Sequence, residues 1–175
     1  MKVSQQLSLY FGLSILAIIL DQFTKLWAVS VLKDGSEIVL FPWFKFQLAY
    51  NYGAAFSFLQ DAGGWQRWMF TTLAVVVSVV LIVWIVKTVQ RQERGRWCEL
   101  MALSLILGGA IGNVYDRITL GYVIDFVVWH YQDHYFPTFN IADSAICTGA
   151  GLLILDMLFL QKKVSSAESV TEQAK

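Results

Sequence analysis

The chain has 175 residues, of which 57% are apolar and only 15% charged. A water-soluble domain of this size carries more charge, so the excess apolar residues face lipid. The formal net charge of zero leaves no basic surface for nucleic acid, and the length suggests one domain.

The first apolar run extends from Leu7 to Leu32 and carries Asp21 and Lys25 inside it. Lys2 ahead of the run and Ala28-Val29-Ser30 near its end could pass for a cleavable signal. Asp21, Gln22, Thr24 and Lys25 argue instead for a retained span. An outer segment, residues 33–67, follows. Its stretch from Ile38 to Leu48 predicts two short strands around Pro42, a small sheet at the membrane interface with an edge open to an extended peptide. The second run, Trp68 to Val86, is uncharged and bracketed by Arg67 and Lys87. The third runs from Trp97 to Tyr115. A second outer segment, residues 118–139, mixes Trp129, Tyr131, Tyr135 and Phe136 with Asp125, His130, Asp133 and His134. The fourth run spans residues 140–160 and ends at Gln161-Lys162-Lys163. Each run is long enough to cross a bilayer, which takes roughly 20 residues. Residues 1–163 are expected to form one integral membrane domain. Residues 164–175 are polar, lack apolar periodicity and are expected to be a disordered tail. Cys98 and Cys147 lie in separate apolar runs without zinc or redox spacing and read as core residues.

Basic residues near the span ends set the orientation. Lys2, Lys87, Arg91, Arg94, Arg96, Lys162, Lys163 and Lys175 lie on one side, and Lys33, Lys45, Arg67 and Arg117 on the other. The bias predicts that both termini are cytoplasmic. At a rise of 1.5 Å per residue, Asp21 lies about 21 Å into the first span and Asn113 about 24 Å into the third. Asp143 lies about 27 Å back from Gln161 along the fourth. Three spans thus deliver polar groups to one layer near the outer edge of a hydrocarbon core about 30 Å thick. Asp156, near the opposite end, reads as an interfacial carboxylate.

Each polar residue also has a structural reading. Asp21 and Lys25, four apart with the acid first, form a helix-stabilising pair. Asp116 and Arg117 are adjacent and need separate partners, which for Arg117 includes a lipid phosphate. Gly108, Gly109 and Gly112 allow close helix packing. His130 and His134 have metal-ligand spacing only if helical, and no third ligand follows; no metal site is expected. Asn140 can cap the fourth helix, and Asp143 on its first turn can serve the helix dipole. Asp125 has no basic partner nearby in sequence. Two carboxylates meeting in an apolar site cannot both ionise readily, so one serves as acid and the other as base toward water. Such a pair hydrolyses an amide without a metal. A small ion- or proton-coupled transporter is the rival reading, because buried charges also mark ion paths. Here the inner half of the spans is apolar and shows no continuous path. A non-catalytic assembly protein held by glycine contacts gives no reason for Asp125 and Asp143.

Five blocks form a set that resembles the bacterial lipoprotein signal peptidases, the signal peptidase II family. They are Asp21-Gln22-Phe23-Thr24-Lys25, Asn51-Tyr52-Gly53-Ala54-Ala55-Phe56, the stretch from Gly108 to Arg117, Val123-Ile124-Asp125-Phe126, and Phe139-Asn140-Ile141-Ala142-Asp143-Ser144. The resemblance implies four transmembrane helices with a small periplasmic sheet and a short amphipathic periplasmic helix, for which Ser57 to Arg67 is the expected place, with Gly63-Gly64 as a hinge. It implies an aspartic endopeptidase of the inner membrane that cleaves prolipoproteins before a diacylglyceryl-modified cysteine. It implies Asp125 and Asp143 as the catalytic dyad, and Asp21, Lys25, Asn51, Gly53, Gly109, Asn113, Asp116, Arg117, Asn140 and Ala142 as supporting residues. The expected partners are lipid-modified signal peptides and membrane lipids. The expected state is a monomer without a cofactor.

Overall fold

The computed structural model describes residues 1–53, 63–92 and 95–160. Four long helices, α1 (Val3–Leu32), α2 (Trp65–Arg91), α3 (Trp97–Thr119) and α4 (Ile141–Leu155), each have the length and apolar character to cross a membrane. α4 ends in a π-helical turn, Asp156–Leu160. α1, α2 and α3 overrun their apolar runs, α2 by three residues at its start and five at its end, because backbone hydrogen bonding continues past the hydrocarbon boundary. α3 is central and packs against the other three, whereas α2 and α4 make little contact with each other.

The packing inverts that of a soluble bundle. α1 turns Leu9, Ile15, Leu16, Ile19, Phe23 and Leu26 outward and buries Tyr10, Ser14, Ala17, Asp21, Lys25, Ala28 and Leu32 at spacings of three and four. Small residues on the inner faces let backbones approach. A Cβ at Gly108 would lie 2.7 Å from the Ser14 carbonyl oxygen, and one at Gly149 would lie 2.6 Å from that of Ala102. The Ser14 hydroxyl donates to the Ser104 carbonyl at 2.9 Å. Tyr10, Leu81, Ile85, Val89, Leu100, Leu103 and Leu107 form the core at one end of the bundle.

A four-stranded sheet covers the other end, in the order β1 (Glu37–Phe41), β2 (Phe44–Asn51), β3 (Val123–Tyr131), β4 (His134–Tyr135). The two strands expected around Pro42 are β1 and β2, paired antiparallel. The sheet is larger than sequence reasoning foresaw: β3 occupies the second outer segment and pairs antiparallel with β2, Ala49 opposite Asp125 and Asn51 opposite Val123. Residues 123 to 128 of β3 are all buried, as expected of a strand covered on both faces. Phe126 and Val127 pack on Ala28 and Leu32 of α1, with Trp27, Phe44 and Phe46 around them.

The structure bears on three of the sequence readings. His130 and His134 lie on the antiparallel strands β3 and β4, not on a helix, so the helical i, i+4 ligand geometry does not arise. Asp156, expected as an interfacial carboxylate, turns into the bundle and is 1% exposed. It continues the inward stripe of Ala142 and Gly149 at seven-residue spacing, which sets it near Cys98 in the first turn of α3, where a helix N-terminus favours an anion. Cys147 is exposed rather than buried. The amphipathic helix expected at Ser57 to Arg67 lies largely outside the described residues. Gly63 and Gly64 adopt positive φ, and Trp65 already opens α2. The expected disordered tail also lies outside them.

Gly109 provides a test of this packing. A Cβ there would collide with the Ala142 carbonyl oxygen and come within 2.8 Å of Ile146 Cγ1, whereas one at Gly151 would meet nothing within 4 Å. Gly109→Ala should destabilise the protein by roughly 1–3 kcal/mol, read as thermal unfolding in detergent. Gly151→Ala should leave it unchanged.

Candidate active site

The polar residues converge where the sheet meets the ends of α1, α3 and α4. At the centre is Lys25, 1% exposed. Its ammonium contacts Asp21 Oδ2 at 2.8 Å, Asp116 Oδ2 at 2.8 Å and Asn113 Oδ1 at 3.0 Å. Three N–H donors thereby meet three acceptors. The remaining carboxylate valences are filled too. Asp21 Oδ1 accepts from the Ala142 amide at 2.9 Å, on the first turn of α4. Asp116 Oδ2 accepts from the Ile124 amide at 3.2 Å. Gln22 Nε2 reaches Asp116 Oδ1 at 2.9 Å and Asp21 Oδ2 at 3.1 Å. One buried network ties α1 to α3, α4 and β3. The i, i+4 pair is present, as the spacing suggested, but Lys25 serves a second carboxylate that the spacing did not reveal.

Asp125 and Asp143 sit on either side of this network, joined by Asn140. The segment before α4 runs beside β3: the Phe139 amide donates to the Val127 carbonyl at 3.1 Å, and the Phe139 carbonyl accepts from the Phe126 and Val127 amides. The next residue, Asn140, begins the helix. Its Oδ1 accepts from the Asp143 amide at 2.9 Å, while Asp143 Oδ2 accepts from the Asn140 amide at 3.2 Å, a reciprocal cap. With its oxygen committed to the cap, the Asn140 amide nitrogen points to Asp125 Oδ1 at 2.7 Å. Asn113 behaves likewise. Its oxygen faces the Lys25 cation, so its nitrogen donates to Asp143 Oδ1 at 2.8 Å. Asn51 Nδ2 approaches Asp125 Oδ2 at 3.1 Å and Asn51 Oδ1 accepts from the Gly53 amide at 3.0 Å. Arg117 has a protein partner: its Nη2 donates to the Gly53 carbonyl at 3.1 Å. Among the candidate residues, Gly109 alone contributes packing, against Ala142.

Burial raises the Asp125 carboxyl from its ordinary 3.8 to about 7, and the neighbouring Asp143 charge adds to the rise. Asp125 therefore gains and loses its proton near neutral pH, beside a second carboxylate.

A cavity of about 760 Å³ opens beside the pair, between α2 and α4. Phe70, Leu73 and Val77 of α2 and Ile146 and Cys147 of α4 make its apolar walls. Asn51, Asn113, Arg117 and Asp143 make its polar end. The cavity thus offers an apolar channel leading to Asp143, which Asn140 links to the buried Asp125.

Sequence reasoning missed two contributors. Gln22 was visible within its motif but was given no role. Arg67 of α2 donates to the Arg117 and Ile118 carbonyls at 2.6 and 2.9 Å, capping α3 from outside, and no local signal marks that partnership.

The model of the family described as signal peptidase (SPase) II matches residues 13–159. The chain belongs to the signal peptidase II family. It is 56% identical over 156 residues to the lipoprotein signal peptidase of Pseudomonas putida, covering 88% of each chain. It is 52% identical over 150 residues to that of Teredinibacter turnerae, covering 86% of this chain and 87% of that one. It superposes on a bacterial membrane enzyme solved by the in meso method at 2.3 Å resolution with a TM-score of 0.72 at 26% identity, covering 86% of this chain and 88% of that one. Membership in this family makes the chain a membrane-embedded, multi-pass aspartic peptidase, and the transporter reading finds no support.

Lys25→Met strands two carboxylates and frees the Asn113 amide to flip. The loss should be about 3–5 kcal/mol, the usual cost of breaking a buried ion pair, with a fall in kcat. Asp21→Asn combined with Lys25→Met should recover part of the stability but not all, because Asp116 remains unpaired. Thermal unfolding of Lys25→Met, Asp21→Asn and the double variant checks this. Strict additivity would show Asp21 and Lys25 to be uncoupled.

Proposed function

We propose that this signal peptidase II family member removes signal peptides from diacylglyceryl-modified prolipoproteins, cleaving before the lipidated cysteine, with Asp125 and Asp143 as the catalytic dyad. The observation that supports the reading is a pair of carboxylates bridged by Asn140, of which Asp143 lines the polar end of an apolar cleft between α2 and α4. A signal peptide enters that cleft sideways from lipid and brings its scissile amide to the polar end. Asp143, on the first turn of α4 where the helix dipole favours an anion, takes a proton from water. The resulting hydroxide adds to the amide carbonyl. Asp125 supplies its proton, the C–N bond breaks, and the leaving amine departs protonated. The pair ends the cycle sharing one proton again. Asp21, Lys25, Asn113, Asp116 and Asn140 hold the aspartates in place, and Asn51, Gly53 and Arg117 shape the polar end. No cofactor takes part in this scheme.

The contacts that hold the dyad are made within one chain, so the scheme calls for no second copy and assigns residues 1–163 as the peptidase domain. Asp125→Asn and Asp143→Asn should each abolish cleavage of a lipidated prolipoprotein while leaving the protein folded and inserted. Near-native turnover by either variant would reject the dyad. Because the mechanism needs the Asp125 proton, kcat/KM should fall as pH rises through about 7. The same raised pKa gives a stability contribution that is present at acid pH and lost as pH rises through about 7. Thermal unfolding should show that loss in the parent protein but not in Asp125→Asn.

The eight-to-four basic bias supports cytoplasmic termini, a cytoplasmic link between α2 and α3, and a dyad near the periplasmic face. In a protein with Cys98 and Cys147 replaced, an impermeant thiol reagent added to intact cells should label Asp133→Cys in the β3–β4 turn but not Gln92→Cys. The reverse pattern would invert the topology.

A further inference from the structure

The gap between α2 and α4 does not end at the aspartates. The residues of α2 that face it, Phe70, Leu73, Val77, Val80, Trp84, Lys87 and Arg91, recur at spacings of three and four along the whole helix. The half near the aspartates is the cleft described above. The half near the opposite membrane surface is a second cavity of about 520 Å³. Val80 and Val83 of α2 and Leu153 and Met157 of α4 wall it, and Lys87, Arg91 and Arg96 stand at its mouth.

The charges at this mouth are unevenly matched. Glu99, 4% exposed, accepts from Trp84 Nε1 at 2.8 Å and from Arg96 Nη1 at 3.1 Å. Arg96 and Glu99 offset each other. Lys87 and Arg91 are exposed and have no hydrogen-bond or ion-pair partner among the described residues. Two cations therefore remain over an apolar slot that opens sideways to lipid. From Arg67 to Lys87 is about 30 Å along α2 at 1.5 Å per residue. Arg67 caps α3 beside the sheet, so Lys87 and Arg91 lie one hydrocarbon thickness away, at the depth of phosphates in the far leaflet.

We propose that this second half of the α2–α4 gap is a binding site for one anionic glycerophospholipid, its head group held by Lys87 and Arg91 and an acyl chain lying against Val80, Val83, Leu153 and Met157. Charge complementarity together with an apolar slot favours a lipid over a free anion, which has no use for the slot. The site is separate from the dyad, and the inference holds whichever leaflet faces the cytoplasm.

The test is native mass spectrometry of the full-length protein released from micelles holding phosphatidylglycerol and phosphatidylcholine of identical chains. The parent protein should retain phosphatidylglycerol at least tenfold over phosphatidylcholine. Lys87→Gln combined with Arg91→Gln should reduce that retention about thirtyfold, and each single change by about fivefold. Both side chains are exposed and have no partner among the described residues, so these variants should fold as the parent does. Lys33→Gln with Lys45→Gln, an equal loss of charge at the sheet end, should retain the lipid. Millimolar inorganic phosphate should not displace it. Equal retention of the two lipids by the parent, unchanged retention in the Lys87/Arg91 variant, equal loss in the Lys33/Lys45 variant, or displacement by phosphate would each overturn the proposal.

Discussion

The ammonium of Lys25, surrounded by two carboxylates and an asparagine oxygen, is the interaction on which the rest of the site depends. A lone buried cation is costly. This one is accommodated because all three of its N–H groups are used and both carboxylates receive further donors from backbone amides at the start of α4 and β3. The same bonds that make Lys25 tolerable pin α1, α3, α4 and β3 to one another at a single depth. The polar layer is thus also the joint of the fold, and the glycine contacts along α3 let the helices come close enough to make it.

A second constraint follows from which helices touch. α3 fills the centre, and α2 and α4 flank it with little contact between them. In lipid such a gap needs no water, and its walls are apolar for most of their length. A peptide in extended or helical form can reach the aspartates from the side, which suits a substrate that is itself anchored in the membrane. Arg67, bonded to the end of α3, keeps the start of α2 against that helix, so the gap is held open by structure rather than left to chance.

Much of this was legible in the sequence. The four spans show as apolar runs, and the convergence of Asp21, Asn113 and Asp143 follows from counting residues along them. The five motif blocks identified the family. What could not be read is informative in physical terms. Val123-Ile124-Asp125-Phe126-Val127-Val128 is a buried strand, but a continuous apolar run near a membrane has no period to separate strand from helix; its β-branched residues were the available clue. Asp156 seemed interfacial because depth along a helix says nothing about which face a residue takes, and only the stripe from Ala142 through Gly149 shows that it points inward. The bond from Arg67 to the end of α3 and the second carboxylate on Lys25 are tertiary pairings between distant segments, for which one sequence carries no local mark.

The orientation of two asparagine side chains connects the joint to the chemistry. A side-chain amide presents an oxygen on one side and a nitrogen on the other, so whatever claims the oxygen decides where the donor points. The Lys25 cation claims the oxygen of Asn113, which turns its nitrogen to Asp143. The N-terminus of α4 claims the oxygen of Asn140, which turns its nitrogen to Asp125. Each aspartate thus receives a donor whose direction is set by a charge or a helix end. The pairing of Phe139 with Val127 then limits how far α4 can shift from β3, and with it Asp143 from Asp125. The proposed dyad, in which the two aspartates would share a proton, needs a fixed separation. In this fold it comes from one strand bridge, one helix cap and one buried ammonium acting together.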